Sequence, residues 1–148
     1  MFLRDAYIKS GGEIKEFRKF EGEIRPGYKF EYTKSIHEID VELFGLVSGD
    51  LNPVHFDEEF ASKTRFGGRV VHGMLTTSFV SAAVARLPGT VVLLETYFRY
   101  KAPVRIGDTV RVEGTVVEID ERGRCRVDVR CFVGDKVVVE GWVRIVLW

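Results

Sequence analysis

Gly73-Met74-Leu75-Thr76-Thr77-Ser78-Phe79-Val80-Ser81-Ala82-Ala83-Val84-Ala85-Arg86 is the stretch that decides the fold. It meets no charge before Arg86 and is small or apolar all round, which predicts a helix buried on most of its faces. Leu87-Pro88-Gly89 ends it. The rest of the chain is strand after strand. Residues 91–102 close at Pro103, residues 109–119 turn at Glu121-Arg122-Gly123, and Gly134-Asp135 joins 124–133 to 136–147 as a tight hairpin. Within 124–133, Cys125, Val127, Val129, Cys131 and Val133 alternate with Arg126, Asp128 and Arg130, the mark of an antiparallel sheet with one wet face. One buried helix and such a sheet predict an α+β fold, a curved antiparallel sheet wrapped around a long buried central helix.

Upstream, residues 28–36 alternate as a first strand, and His37-Glu38-Ile39-Asp40 opens a helix with acids in its first turn. Ile39, Leu43, Phe44 and Val47 recur at helical spacing and predict its buried stripe; His37 belongs to the helix entry and is a poor ligand candidate. The helix runs out in Ser48-Gly49-Asp50-Leu51-Asn52-Pro53-Val54-His55. Gly49 permits a left-handed stop, while Pro53 cannot continue a helix and biases Asn52 toward extended dihedrals. A stiff, irregular loop therefore presents Asp50 and His55 from one bend, where both can aim at a single water. Two readings stay open for the acid: an ordinary turn in which Asp50 bonds the backbone two residues on, or a partner for the imidazole. Asp57 then caps a short helix that ends near Ala61.

A chain of 148 residues suits one domain with one core, here residues 28–148. Residues 1–27 read as an amino-terminal arm, either loosely fixed or a short helix that packs on a partner subunit. Lys plus Arg number 22 and so do Asp plus Glu, so bulk charge argues for neither nucleic acid nor an anionic membrane. No apolar run approaches the ~18 residues of a membrane span, and the opening Met-Phe-Leu-Arg-Asp lacks a secretory apolar stretch, which makes cytoplasm the default. Cys125 and Cys131 lie about 20 Å apart along one strand at ~3.3 Å per residue, too far to bridge. Both read as small core residues, and no His/Cys cluster has the spacing of a metal site.

The run Ser48-Gly49-Asp50-x-Asn52-Pro53-x-His55-x-Asp57, with the later Val71-His72-Gly73-Met74, resembles the signature of the MaoC-like, R-specific enoyl-CoA hydratases, the hydratase 2 family. The likeness extends in element order from Tyr28 to Trp148. It implies the hot-dog fold and a homodimer whose sheets join edge to edge. It further implies that water adds to a trans-2-enoyl-CoA or acyl-carrier thioester to give the (R)-3-hydroxyacyl product, with no cofactor beyond the thioester substrate and no metal.

By that resemblance Asp50 and His55 are catalytic, one taking a proton from water while the other returns one; which is base and which is acid is open. Gly73 is the candidate for polarising the thioester carbonyl through its helix-start amide, and Asn52 for orienting water or carbonyl, with turn formation as its equal. Ser81 matches a small polar position that lines the family's pocket. Phe56, Phe66 and Leu75, with Phe60 and Phe79, are candidate walls for an acyl chain. Arg65, Arg69, Arg99, Lys101 and Arg105 offer charge for CoA phosphates, or simply a solvated face. His72 reads as a capping or core-satisfied histidine rather than a second base. Two other classes share the fold: acyl-thioester hydrolases and non-catalytic acyl-CoA-binding modules. Residues 74–86 contain no Asp or Glu on which a hydrolase of this fold could hang its carboxylate, which counts against the first.

Overall fold

In the computed structural model, which describes residues 2–148, helix α1 (Phe2–Lys9) is followed by strand β1 (Lys29–Ser35) and helices α2 (Glu38–Ser48), α3 (Pro53–Phe56), α4 (Glu58–Ser62) and α5 (Gly73–Val84). Strands β2 (Val91–Tyr100), β3 (Thr109–Ile119), β4 (Arg124–Val133) and β5 (Lys136–Leu147) complete the chain. The five strands form one antiparallel sheet in the order β1-β3-β4-β5-β2. This is the α+β, hot-dog arrangement expected from the sequence. Among the described residues no helix is long and apolar enough to cross a membrane.

The pleat explains the core. On β4, Cys125, Val127, Val129 and Cys131 are buried, and they pair in register with Ile119, Val116, Gly114 and Val112 on β3. Against that face α5 lays Leu75, Phe79, Val80, Ala83 and Val84, each burial contributing roughly 1.5–3 kcal/mol for the larger side chains. Opposite them on α5, Met74, Ser78 and Ser81 are exposed. The helix stops at Val84, two residues short of Arg86. Its C-terminal carbonyls then meet cations, as its dipole favours. Arg86 donates to Ala82 O at 2.7 Å, and Lys19 Nζ donates to the carbonyls of Ala85, Leu87 and Gly89 at 2.6–3.0 Å.

Those Lys19 bonds belong to the amino-terminal arm, which packs on its own chain. Phe20 N–H donates to Arg86 O, Arg86 donates to Glu16 O, and Glu13 accepts from Ser35 N–H. Tyr7 donates to Asp40 Oδ1 at 2.6 Å, and Lys34 lies 3.3 Å from the same carboxylate. Burial and the Asp40 carboxylate push the Tyr7 phenol well above its ordinary value, so it stays a donor.

The stripe expected on α2 is corrected in part: Phe44 packs against the core and Ile39 is half-buried, but Leu43 and Val47 are exposed. The helix buries Asp40, Val41 and Gly45, whereas Leu43 is exposed, Leu46 is 73% exposed and Val47 is 86% exposed. Val41 joins the main core and Gly45 faces the Phe56 ring and Leu51, while among the described residues nothing covers the Leu43–Val47 side. Strand β2 is likewise an outer edge, with Leu93, Leu94, Tyr97 and Tyr100 each about half exposed.

Candidate active site

Gly49 ends α2 in the left-handed region, at φ +79°, and its N–H donates to Gly45 O at 2.9 Å. Ser48 Oγ receives Asp50 N–H at 3.1 Å, so the chain leaves the helix with its next amide already satisfied. Asp50 then does both things the sequence leaves open. Its Oδ1 accepts Asn52 N–H at 3.3 Å, the turn bond, while Oδ2 faces His55 Nε2 at 3.9 Å. The carboxylate side chain is 51% exposed and the imidazole only 11%, so a half-wet acid meets a sheltered ring.

The bend itself is more regular than expected. Pro53 opens α3 at its first helical position, where a missing N–H costs nothing, and His55 sits on that single turn rather than in a loop. Asn52 caps the turn by accepting Val54 N–H at 3.3 Å, so its side-chain oxygen takes the turn-forming role. Asp57 caps α4 by accepting Phe60 N–H at 3.0 Å, as expected. His55 Nδ1 lies 2.7 Å from Val70 O. A carbonyl only accepts, so Nδ1 carries a proton and Nε2 is the ring atom left to face Asp50.

Two residues that the sequence assigns elsewhere hold this corner. Arg69, a candidate for CoA phosphates, donates Nε–H to His55 O at 2.8 Å and forks onto the Glu38 carboxylate at 2.6 and 3.1 Å. Arg105 is committed too, donating to the carbonyls of Phe66, Gly68 and Arg69. Arg99 and Lys101 approach Glu140 at 3.9 and 3.5 Å, and Arg65 is exposed. His72 is 2% exposed, donates Nε2–H to the main-chain carbonyl of Asp50 at 2.9 Å, and stacks on the His55 ring at 3.8 Å. Burial holds its pKa below the ordinary histidine value. It does not cap α5, so the helix's first amides carry no capping side chain. Gly73 is exposed there, beside Tyr100: a Cβ on Gly73 would sit 2.8 Å from that ring.

The expected pocket residues are spread out. Phe56 is half-buried and meets the His72 ring edge-on at 5.6 Å. Leu75 and Phe79 are core, and Phe60 and Phe66 are about half exposed. Ser81 lies on the exposed face of α5, about 12 Å along the axis from Gly73, and is not brought to the pair. An open apolar groove of about 600 Å³ is lined by Asp40, Leu43, Phe44, Leu46, Val47 and Leu75, and Phe44 in it packs on His72 at 4.9 Å.

Asp50, His55 and His72 place one ligand-type atom each within 4.8 Å of the others. His72 Nε2–H is donated to one carbonyl and His55 Nδ1–H to another, which fixes both tautomers and leaves the second nitrogen of each ring free. Cys125 and Cys131 are free and buried within β4, with thiols pushed up by burial to about 11 and about 12, far from nucleophile range.

What this arrangement can do is hold one water between a carboxylate and an imidazole lone pair at the start of a helix. The MaoC like domain model matches residues 19–139. A 3-hydroxybutyryl-CoA dehydratase of Methylorubrum extorquens is 45% identical over 111 residues, covering 73% of this chain and 71% of that protein. An (R)-specific enoyl-CoA hydratase of Rhodospirillum rubrum is 40% identical over 122 residues, covering 80% and 85%. A crystal structure of an Archaeoglobus fulgidus protein superposes with a TM-score of 0.98 at 67% identity, over 99% of this chain and 94% of that one. By that family model and these relatives, the chain is a member of the MaoC-like domain family.

Proposed function

We propose that this protein adds water across the double bond of trans-2-enoyl-CoA thioesters to give (R)-3-hydroxyacyl-CoA, and runs the reverse dehydration. The observation that carries the reading is the 3.9 Å gap between Asp50 Oδ2 and a His55 whose Nδ1 is tied to Val70 O. A water in that gap donates one proton to each group. His55 Nε2 takes its proton as the water oxygen bonds to C3, and the C2=C3 electron pair moves onto the thioester oxygen as an enolate. The amide of Gly73, at the positive end of α5, receives that oxygen. The imidazolium then returns the proton to C2, so the elements of water are added and nothing leaves. Asp50 fixes the second water hydrogen and faces the transient imidazolium with a negative charge.

The exposed edge of β2 is what supports a homodimer joined edge to edge, since the described residues leave it unpaired. The acyl tail follows the apolar groove beside Phe44.

The test uses trans-2-butenoyl-CoA. Loss of the conjugated thioester absorbance without release of free thiol, and an (R)-configured product, supports hydration. Thiol release identifies a thioesterase instead. Saturable binding with neither change identifies a binding module.

A further inference from the structure

We infer that His72 is a positioning residue for this hydration: one buried imidazole that holds Asp50 by its carbonyl and His55 by its ring face. The inference rests on the hydratase reading and adds to it a residue that touches no substrate atom. Its Nε2 lies 2.9 Å from Asp50 O, its ring lies 3.8 Å from the His55 ring at an interplanar angle of 30°, and it is 2% exposed. Phe44 of α2 and Phe56 of α3 close on the same ring at 4.9 and 5.6 Å. His72 is therefore the point where α2, the Asp50 corner, α3 and the start of α5 meet. Its main chain leads directly into Gly73, the amide assigned to the enolate.

A plain core role does not account for the residue. An apolar ring of similar size would fill the space with no polar atom to satisfy. His72 instead buries Nδ1 with no hydrogen-bond partner among the described residues, which costs stability. The polar ring makes sense where its Nε2–H is needed, and the acceptor it serves is the backbone of the catalytic carboxylate. The 3.9 Å gap that accepts one water depends on where that backbone sits. A shift of a few tenths of an ångström there changes how the water is held without changing how the thioester is bound.

Two substitutions separate the roles. His72→Phe keeps a flat ring and removes the donor; His72→Gln loses the stack but can place an N–H where Nε2 lies. Positioning predicts opposite orders: Phe melts at or above the temperature of Gln, while kcat falls about 10- to 50-fold in Phe and no more than about fivefold in Gln. KM for trans-2-butenoyl-CoA stays within about twofold in both. Phe matching wild-type kcat, or Gln falling as far as Phe, overturns the inference. If neither variant folds, the imidazole nitrogens of the wild type decide by NMR: His72 protonated on Nε2 supports it, and His72 protonated on Nδ1 overturns it. A wild type that hydrates no enoyl thioester sinks the hydratase reading itself, a separate result.

Discussion

Asp50→Asn is the sharpest perturbation because it removes a charge and almost nothing else. The amide oxygen can still accept Asn52 N–H, now at 3.3 Å, and the side chain is 51% exposed, so stability should change by no more than about 0.5 kcal/mol. The catalytic cost comes from the distance. At 3.9 Å a carboxylate attracts an imidazolium by about 4 kcal/mol at an effective dielectric near 20, and by about 1 kcal/mol in bulk water. With the acid half exposed, the lower end applies, about 1–2 kcal/mol. Losing a charge-assisted hydrogen bond to the attacking water adds about 1.5–3 kcal/mol. Together these give about 2.5–5 kcal/mol, or roughly 70- to 5000-fold in kcat/KM. The assay is the decay of enoyl thioester absorbance, with a thermal melt to show that the variant is folded. A folded Asp50→Asn enzyme that keeps more than half of the wild-type kcat/KM would falsify the assignment of the pair.

Gly45→Ala should loosen the same corner from behind. A Cβ at Gly45 meets the Phe56 ring and lies 3.2 Å from Leu51 Cδ2, so overpacking of about 1–3 kcal/mol lowers the melting temperature by about 3–8 °C; an unchanged melt contradicts the packing described. A thiol reagent at neutral pH should label neither Cys125 nor Cys131 in the folded protein and both after denaturation, since both are buried with raised pKa values. Stability should also weaken in mild acid. His72 is held below its ordinary 6.5, so the unfolded chain binds a proton that the folded one refuses; stability is full above about pH 6.5 and is lost as pH falls toward the lowered value. Melting curves between about pH 5 and 8 check this, and His72→Phe should flatten that part of the slope.

The strand pattern is legible because alternation specifies a face directly: β3, β4 and β5 begin and end where turn residues and periodicity put them. The uncharged stretch of α5 likewise announces burial. Two features are less legible for physical reasons. Helical spacing groups Leu43 and Val47 on one side but cannot say what covers that side, and among the described residues nothing does. Pro53 forbids continuing the helix before it, yet the same locked φ suits the first residue of a new one, so a proline that breaks one helix also starts another. Arg69 shows a third limit. Its charge is plain in the sequence, but its acceptors are Glu38, 31 positions away, and the carbonyl of His55. Nothing local marks a cation as spent. His72 reads from the sequence as capping or core-satisfied, yet it neither caps α5 nor finds a partner for both nitrogens.

The architecture separates what holds the fold from what does the chemistry. The main core runs from the sheet through Leu75, Phe79 and Val80 of α5, while Val54, Ala61 and Val70 form a small core of their own under α3 and α4. His55 stands on the small core; Asp50 leaves the end of α2. Apolar packing alone is non-directional and would not fix two side chains relative to each other. The polar ties do that. His55 Nδ1 bonds Val70 O, Arg69 joins Glu38 to His55 O, and His72 reaches from the start of α5 to Asp50 O. Each tie ends on a backbone carbonyl next to or within the Asp50–His55 corner. The two side chains proposed for catalysis are thereby left with free atoms, Oδ2 and Nε2, facing each other across the width of one water.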